Sequence, residues 1–285
     1  MFPGQGSQQP GMRELVEQVR PDLLARVTSL VGEDPFARSD ESTRFAQPAI
    51  FCASLAGWER VRDHVDPVAF AGHSLGELTA LVAAGALDER DGLRLVVLRG
   101  LLMSISGESA GGGTMLALLG ASPAQAGAIA ARNGVSLAND NAPGQVVLSG
   151  SREALANAAA DAADAGLRTT LLDVTGAFHS PQMRDAVIPF AEALAEVDFA
   201  EPAVPVFSCA TGGPFADPRE ELAASLVNPV RWRDTITALA ASGVQTFVDA
   251  GPGGALAKFA PRCVPGAGAA PLDILLGDLE ESRAA

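Results

Sequence analysis

The sequence is poor in the groups that carry metal, redox or nucleic-acid chemistry. Its three cysteines, Cys52, Cys209 and Cys263, are far apart and odd in number, and no CxxC or Cys/His spacing points to zinc. Three buried thiols in a reducing cytoplasm are the plain reading, and no metal is expected. Lys258 is the only lysine, and 20 basic residues stand against 34 acidic ones, a formal net charge of -14. That sign disfavours phosphate backbones and anionic membrane surfaces, so neither nucleic acid nor membrane is an expected partner. Apolar runs are broken by Gly, Arg or Asp well before the ~18 residues a membrane span needs. The start, MFPGQGSQQPGM, has no basic stretch leading into an apolar one, so no signal peptide is expected and a cytoplasmic location is.

What is present is a globular composition, 48% hydrophobic and 19% charged over 285 residues. After a Gly/Pro/Gln loop, residues 13–31 have a helical pattern, and 47–61 (QPAIFCASLAGWERV) read as a buried helix. The run 65–71 (VDPVAFA) reads as a buried strand leading into GHSLGE and a small-residue helix. Asp88 or Asp91 caps the next helix, which carries LRLVVLRGLLM. A Gly-rich stretch, 106–114, reads as a hinge. From there the order strand, helix, strand, strand, helix, strand extends to about residue 174, with Ser151 as N-cap and Gly166 as C-cap of the second helix. That order is the ferredoxin-like one. The expected architecture is α/β: a large domain, 1–111 and 175–285, and a small insert, 112–174. In the large domain a helix over 180–197, a strand VPVFSCA, a helix NPVRWRDTITALAASG and a strand into VDAGPGG imply a mostly parallel sheet covered on both faces. The tail after Pro265 is weakly patterned, with a loose end expected.

Gly72-His73-Ser74-Leu75-Gly76-Glu77 matches G-x-S-x-G between an expected strand and an expected helix, the context a nucleophile elbow requires. Glycines flanking the sharp turn leave it room, and Ser74 falls at a helix N-terminus, which favours developing negative charge. Serine is a weak nucleophile and needs a base. His64 lies in the polar stretch RVRDHVD and reads as a surface residue. His73 adjoins Ser74 and points elsewhere, to touch substrate or to pack locally. His179, in the loop TGAFHSP, is the base.

FPGQGSQ, GHSLGE, LRG with Arg99, NAPGQVVLSG, GAFHSPQM, NPVRW and DAGPGG occur in that order along the chain. Together they resemble the malonyl-CoA:acyl-carrier-protein transacylase family, which includes the acyltransferases of fatty acid and polyketide synthesis. The resemblance covers essentially the whole chain. It implies an α/β-hydrolase-like large domain with a ferredoxin-like insert. It implies ping-pong transfer of malonyl from CoA to the phosphopantetheine thiol of an acyl carrier protein, with no bound cofactor.

The resemblance also implies roles. Ser74 carries the acyl ester, and His179 takes its proton. The backbone N–H groups of Gln5 and Leu75 form the oxyanion hole. Arg99, which by position alone either snorkels or pairs with a buried partner, is assigned to the malonyl carboxylate, whose shape its planar fork matches. Phe178 fills the space a methyl branch would need, though a loop Phe also serves simply to pack. Gly176 stands where polyketide synthase domains usually have a bulkier residue, as free-standing, trans-acting enzymes do. A main-chain carbonyl at Ser225, reached by counting back from Asn228, orients His179. Asp249 is the tempting third triad member, but a strand-end aspartate serving the glycine turn is the preferred reading. Gln47 and Asn141 match family positions near the cleft or cap their own turns. Arg231, Arg233, Lys258 and Arg262 are candidates for carrier docking, or scattered surface charges.

One departure concerns the first strand. Family members have a short apolar strand before FPGQG, and here Met1 stands where it would end. Two other readings share the Ser74–His179 pair: a hydrolase with water as acceptor, which is expected to lack Arg99, and a transferase of larger acyl groups, which needs a roomier pocket than Phe178 suggests. A monomer is expected.

Overall fold

A computed structural model describes residues 1–277. The helical stretch 13–31 is two helices, α1 (Met12–Val19) and α2 (Pro21–Val31). Pro21 has no N–H to continue α1 and instead opens α2 at its first turn. The buried helix α3 (Thr43–Val61) starts four residues before Gln47, because the Ser42 hydroxyl caps it through the Arg44 N–H. The strand expected over 65–71 shrinks to β1 (Phe70–Ala71), after Pro67, which has no N–H to give a ladder. Next come α4 (Gly76–Ala83) and α5 (Glu89–Ser109), the latter capped by Asp88 as expected. β2 (Thr114–Leu119), α6 (Pro123–Asn133), β3 (Ser136–Ala142), β4 (Gln145–Gly150), α7 (Arg152–Asp164) and β5 (Arg168–Leu171) follow.

The expected helix 180–197 is a 3-10 turn, Pro181–Met183, and then α8 (Arg184–Ala195). β6 (Val206–Phe207) precedes α9 (Pro218–Ser225), which the sequence reading missed although Asp217 caps it and Pro218 opens it. α10 (Trp232–Ala241) begins four residues after Asn228. β7 (Thr246–Asp249) runs into α11 (Ala255–Cys263), and β8 (Gly268–Pro271) is a second missed element, in the tail read as weakly patterned. The expected loose end, 278–285, lies outside the described residues.

The chain is thus an α/β protein with two kinds of sheet. β3, β4, β2 and β5 form, in that order, an antiparallel sheet. Side chains alternate across it. Leu116, Leu118, Val146 and Leu148 face α6 and α7 and make one core. Met115, Ala117 and Val147 face the other way, into the main core around α3, α4 and α5. Each Met or Val so buried contributes ~1.5–3 kcal/mol, and with Ala138 these residues seat β2, β3 and β4 on the rest of the molecule, while β5 is largely exposed.

The remaining strands are parallel: β1 pairs with β6 and β7 with β8. Met1 and Phe2 join the two pairs. Phe2 N–H donates to Ala71 at 3.0 Å and Phe2 C=O accepts from His73 at 2.9 Å, while Ala250 N–H donates to Met1 C=O at 3.0 Å. The first two residues therefore lie between β1 and β7 in the position of a strand, and the loop that carries Gln5 follows from it. Of the stretch 106–114 read as a hinge, residues 106–109 belong to α5, and Gly111 and Gly112, with φ 82° and 73°, make the bend into β2. Among the described residues no helix is long and apolar enough to cross a membrane.

Candidate active site

β1 ends at Ala71 and α4 begins at Gly76, and the four residues between them must turn sharply. A Cβ on Gly72 would lie 1.9 Å from the Gly76 carbonyl carbon, and one on Gly76 would lie 2.2 Å from the Phe2 oxygen. No other residue type fits either place. At the apex Ser74 has φ 55°, and His179 has φ 56°; among the described residues they are the only non-glycine residues with positive φ. Strain of this kind persists where surrounding structure enforces it and clusters at functional sites.

The two side chains meet. Ser74 Oγ lies 2.9 Å from His179 Nε2. On the other side of the ring, Nδ1 lies 2.8 Å from the Ser225 carbonyl oxygen and 3.1 Å from that of Asn228. Carbonyls only accept, so Nδ1 carries the proton and Nε2 is left to accept from the serine hydroxyl. Both contacts are through main chain, from Ser225 and from Asn228. Burial, reinforced by the positive charge of Arg99, pushes the His179 pKa down to about 3. The ring is therefore neutral, and able to take a proton, throughout the ordinary pH range.

Asp249 is no part of this arrangement. Its Oδ2 accepts from Leu256 N–H at 2.9 Å and Ala257 N–H at 3.3 Å, serving the turn into α11, the reading preferred above. His64 lies exposed in a 3-10 turn.

Arg99 is 2% exposed, on the inner face of α5. Its Nη1 donates to Gln47 Oε1 at 2.8 Å and its Nη2 to Ser74 Oγ at 3.1 Å, so it does not snorkel. Gln47 is held in turn, donating from Nε2 to Thr43 Oγ1 at 2.8 Å and to Met103 Sδ at 3.2 Å. Glu77, which the sequence reading passed over, is fully buried one helical turn beyond Ser74. Its Oε1 accepts from Cys209 N–H at 2.8 Å and Ser208 Oγ at 3.2 Å, and its Oε2 has no partner among the described residues. Burial pushes Glu77 up to about 7 and Arg99 down to about 10, each opposed by the charge of the other. The signal for Glu77 was its charge beside an apolar helix, LTALVA, with nothing nearby in sequence to pair it.

Ser74, Arg99 and His179 open into a cavity of about 570 Å³ that Gln5, Leu75 and Phe178 also line. The amides of Gln5 and Leu75 make no hydrogen bond among the described residues, whereas the Ser74 amide donates to Cys209 Sγ at 3.4 Å. Phe178 is 5% exposed and its ring folds back over Gly176, where a Cβ would lie 2.5 Å from the ring. His73 also reaches the cavity, and its Nε2 is taken by Asn141 Oδ1 at 2.8 Å, with Asn139 Nδ2 at 3.4 Å. His73 thus ties the elbow to β3. Of the four cations considered for docking, Arg231 pairs with Asp234, Arg233 with Asp140, and Arg262 donates to Gln145 and the Pro143 carbonyl; Lys258 is exposed.

Residues 1–264 match the family described as the acyl transferase domain. The malonyl CoA-acyl carrier protein transacylase of Bacillus subtilis strain 168 is 37% identical over 283 residues, covering 92% of this chain and 89% of that one. The polyketide biosynthesis protein ThaF of Burkholderia thailandensis is 38% identical over 280 residues, 93% of this chain, which spans 24% of that longer protein. The crystal structure of malonyl-CoA:acyl carrier protein transacylase from Xanthomonas oryzae pv. oryzae superposes with a TM-score of 0.89 at 34% identity, covering 98% of this chain and 96% of that one. With a strained serine and histidine in hydrogen-bond contact beside a buried arginine, and with likeness of this extent, the chain belongs to the acyl transferase domain family.

Proposed function

We propose that the protein moves a malonyl group from coenzyme A to the phosphopantetheine thiol of an acyl carrier protein through an ester on Ser74. Arg99 binds the malonyl carboxylate. Ser74 gives its proton to His179 Nε2 and attacks the thioester carbonyl. The oxyanion is held by the Gln5 and Leu75 amides, a pair of donors of which each is worth ~3 kcal/mol in such sites. The C–S bond breaks, and CoA leaves as the thiol with the proton from His179. The carrier thiol then reverses these steps, with His179 as its base. CoA and the phosphopantetheine arm are substrates here, not resident cofactors.

The observation that carries this reading is Arg99, a cation buried to 2% exposure with Nη2 3.1 Å from the nucleophile. A buried charge is costly unless paired, and this guanidinium has a neutral amide and a hydroxyl as acceptors. An acyl group ending in a carboxylate supplies the missing partner. The names of the relatives support malonyl and a carrier protein as substrates.

We also read residues 1–111 and 175–285 as an α/β-hydrolase-like catalytic domain and 112–174 as a ferredoxin-like insert. The separate core of the antiparallel sheet and its β3-β4-β2-β5 order support the division.

The test is intact mass after mixing with malonyl-CoA, with Ser74→Ala beside it. The expected result is one malonyl adduct that is absent from the variant and passes to a holo carrier protein. Rapid CoA release with no adduct would make water the acceptor and the protein a hydrolase.

A further inference from the structure

We propose that Arg99 restrains Ser74 in the unliganded enzyme and that the carboxylate of the incoming acyl group releases it, so that the substrate activates its own nucleophile. This rests on the acyltransfer reading above and adds a gate to it.

The argument starts from the hydrogen bonds at one oxygen. Ser74 Oγ lies 2.9 Å from His179 Nε2 and 3.1 Å from Arg99 Nη2. The carbonyls of Ser225 and Asn228 fix the imidazole proton on Nδ1, so the hydroxyl proton is committed to Nε2. Arg99 therefore donates to a lone pair of Oγ. Oγ keeps a second lone pair, and a cationic donor on the first draws electron density from the oxygen, weakening attack of the second on the thioester carbon more than a neutral donor would.

A second effect acts in the same direction. When the serine proton moves to Nε2, an imidazolium forms beside a guanidinium that touches the same oxygen. Glu77 offsets part of the Arg99 charge, but its hydrogen bonds go to Ser208 and Cys209. The direct acceptors of Arg99 among the described residues are the Gln47 amide oxygen and Ser74 Oγ, both uncharged. A carboxylate is a better acceptor than either. Once seated, it draws Nη2 from Oγ and neutralises the guanidinium, and both obstacles fall together. Acetyl-CoA, which has no such group, is then rejected twice: it lacks the ion pair in binding, and it meets a restrained serine in the chemical step.

Formate with acetyl-CoA divides the malonyl group into its carboxylate and the remaining acetyl thioester. The reaction is acetyl-CoA plus Ser74-OH giving acetyl-Ser74 and CoA-SH, with the serine proton delivered through His179 to the thiolate and formate unchanged. The acetyl adduct is followed by intact mass over time, with sodium formate against sodium chloride at equal ionic strength. Formate is expected to accelerate acetylation of the wild-type protein about tenfold, the factor set by ~1.4 kcal/mol in a barrier, and chloride is not. Arg99→Met, which keeps the apolar stem, is expected to acetylate faster than wild type without formate and to ignore formate. Wild-type acetylation that formate leaves unchanged or slows, or an Arg99→Met rate no higher than wild type, overturns the gate. A parallel wild-type run with malonyl-CoA separates the two readings. Malonyl loading without formate acceleration removes the gate alone, whereas no malonyl adduct removes the acyltransfer reading.

Discussion

Arg233 on α10 and Asp140 on β3 form an ion pair at 2.6 Å, and beside it Val230 and β3 exchange backbone hydrogen bonds, Asp140 N–H to Val230 C=O at 2.9 Å and Val230 N–H to Ala138 C=O at 2.8 Å. Val230 is two residues from Asn228, whose carbonyl orients His179. The antiparallel sheet is thus fastened to the segment that orients the His179 ring, at the side away from the Gly111–Gly112 bend.

Arg233→Met and Asp140→Asn are expected to lower kcat for malonyl loading by about fivefold, roughly 1 kcal/mol, with little change in KM for malonyl-CoA. The exchanged pair, Arg233→Asp with Asp140→Arg, should recover part of the loss. A change confined to thermal stability, with kcat intact, would make the pair structural only.

In the proposed reaction Ser74 and His179 act on one proton, so their losses do not add. Ser74→Ala, His179→Ala and the double variant should each lose about 10⁴-fold or more in transfer, to a common floor. A double variant much slower than either single one would contradict a shared step.

The His179 pKa, pushed down to about 3, predicts the pH profile of loading. The proposed reaction needs the neutral ring, so single-turnover malonylation should not fall as pH drops through 6.5, the ordinary histidine value. A descending limb centred near 6.5 would mean that the ring is more solvated than its 4% exposure allows.

Glu77 predicts a pH-dependent stability difference. Its folded pKa, about 7, lies above its ordinary 4.5. Between those values the unfolded chain ionises while the folded one stays protonated, so the folded state loses stability as pH rises from about 4.5 to about 7. Glu77→Gln lacks this loss. The stability of the variant minus that of wild type should grow by about 1–3 kcal/mol between pH 5 and pH 8, read from urea unfolding. A difference that is flat or shrinks with pH would show Glu77 ionised at neutrality.

Gly176 predicts selectivity. A methyl at 176 cannot coexist with the present Phe178 ring, 2.5 Å away. Gly176→Ala should displace the ring and raise the methylmalonyl-to-malonyl loading ratio several-fold, within the ~1–3 kcal/mol that one methyl group commands in a pocket. An unchanged ratio in competition, read by mass, would show that Phe178 does not set this choice.

The local chemistry of this chain was legible in its residues. G-x-S-x-G between an apolar run and a small-residue helix marks Ser74 because only glycine fits at 72 and 76. His179 stands out because few histidines compete and one lies in a loop near a Ser-Pro turn. Capping at Asp88 and Ser151, and the strand-helix alternation from 114 to 171, follow from side chains acting on their own neighbours. Boundaries failed where a proline or a cap decided them, as at Pro21 and Ser42, and α9 and β8 were missed because short elements carry too little periodicity.

Tertiary structure decided what depends on distance between segments far apart in the chain. It chose how the Arg99 fork is used, bringing Gln47 from 52 residues away and Ser74 from 25. It gave His179 a second carbonyl and gave Glu77 its partners 131 and 132 residues on. Residue type and short-range pattern name the groups a site contains. Which lone pair each donor meets, and which charge is left without a partner, is fixed only when packing removes water from between them.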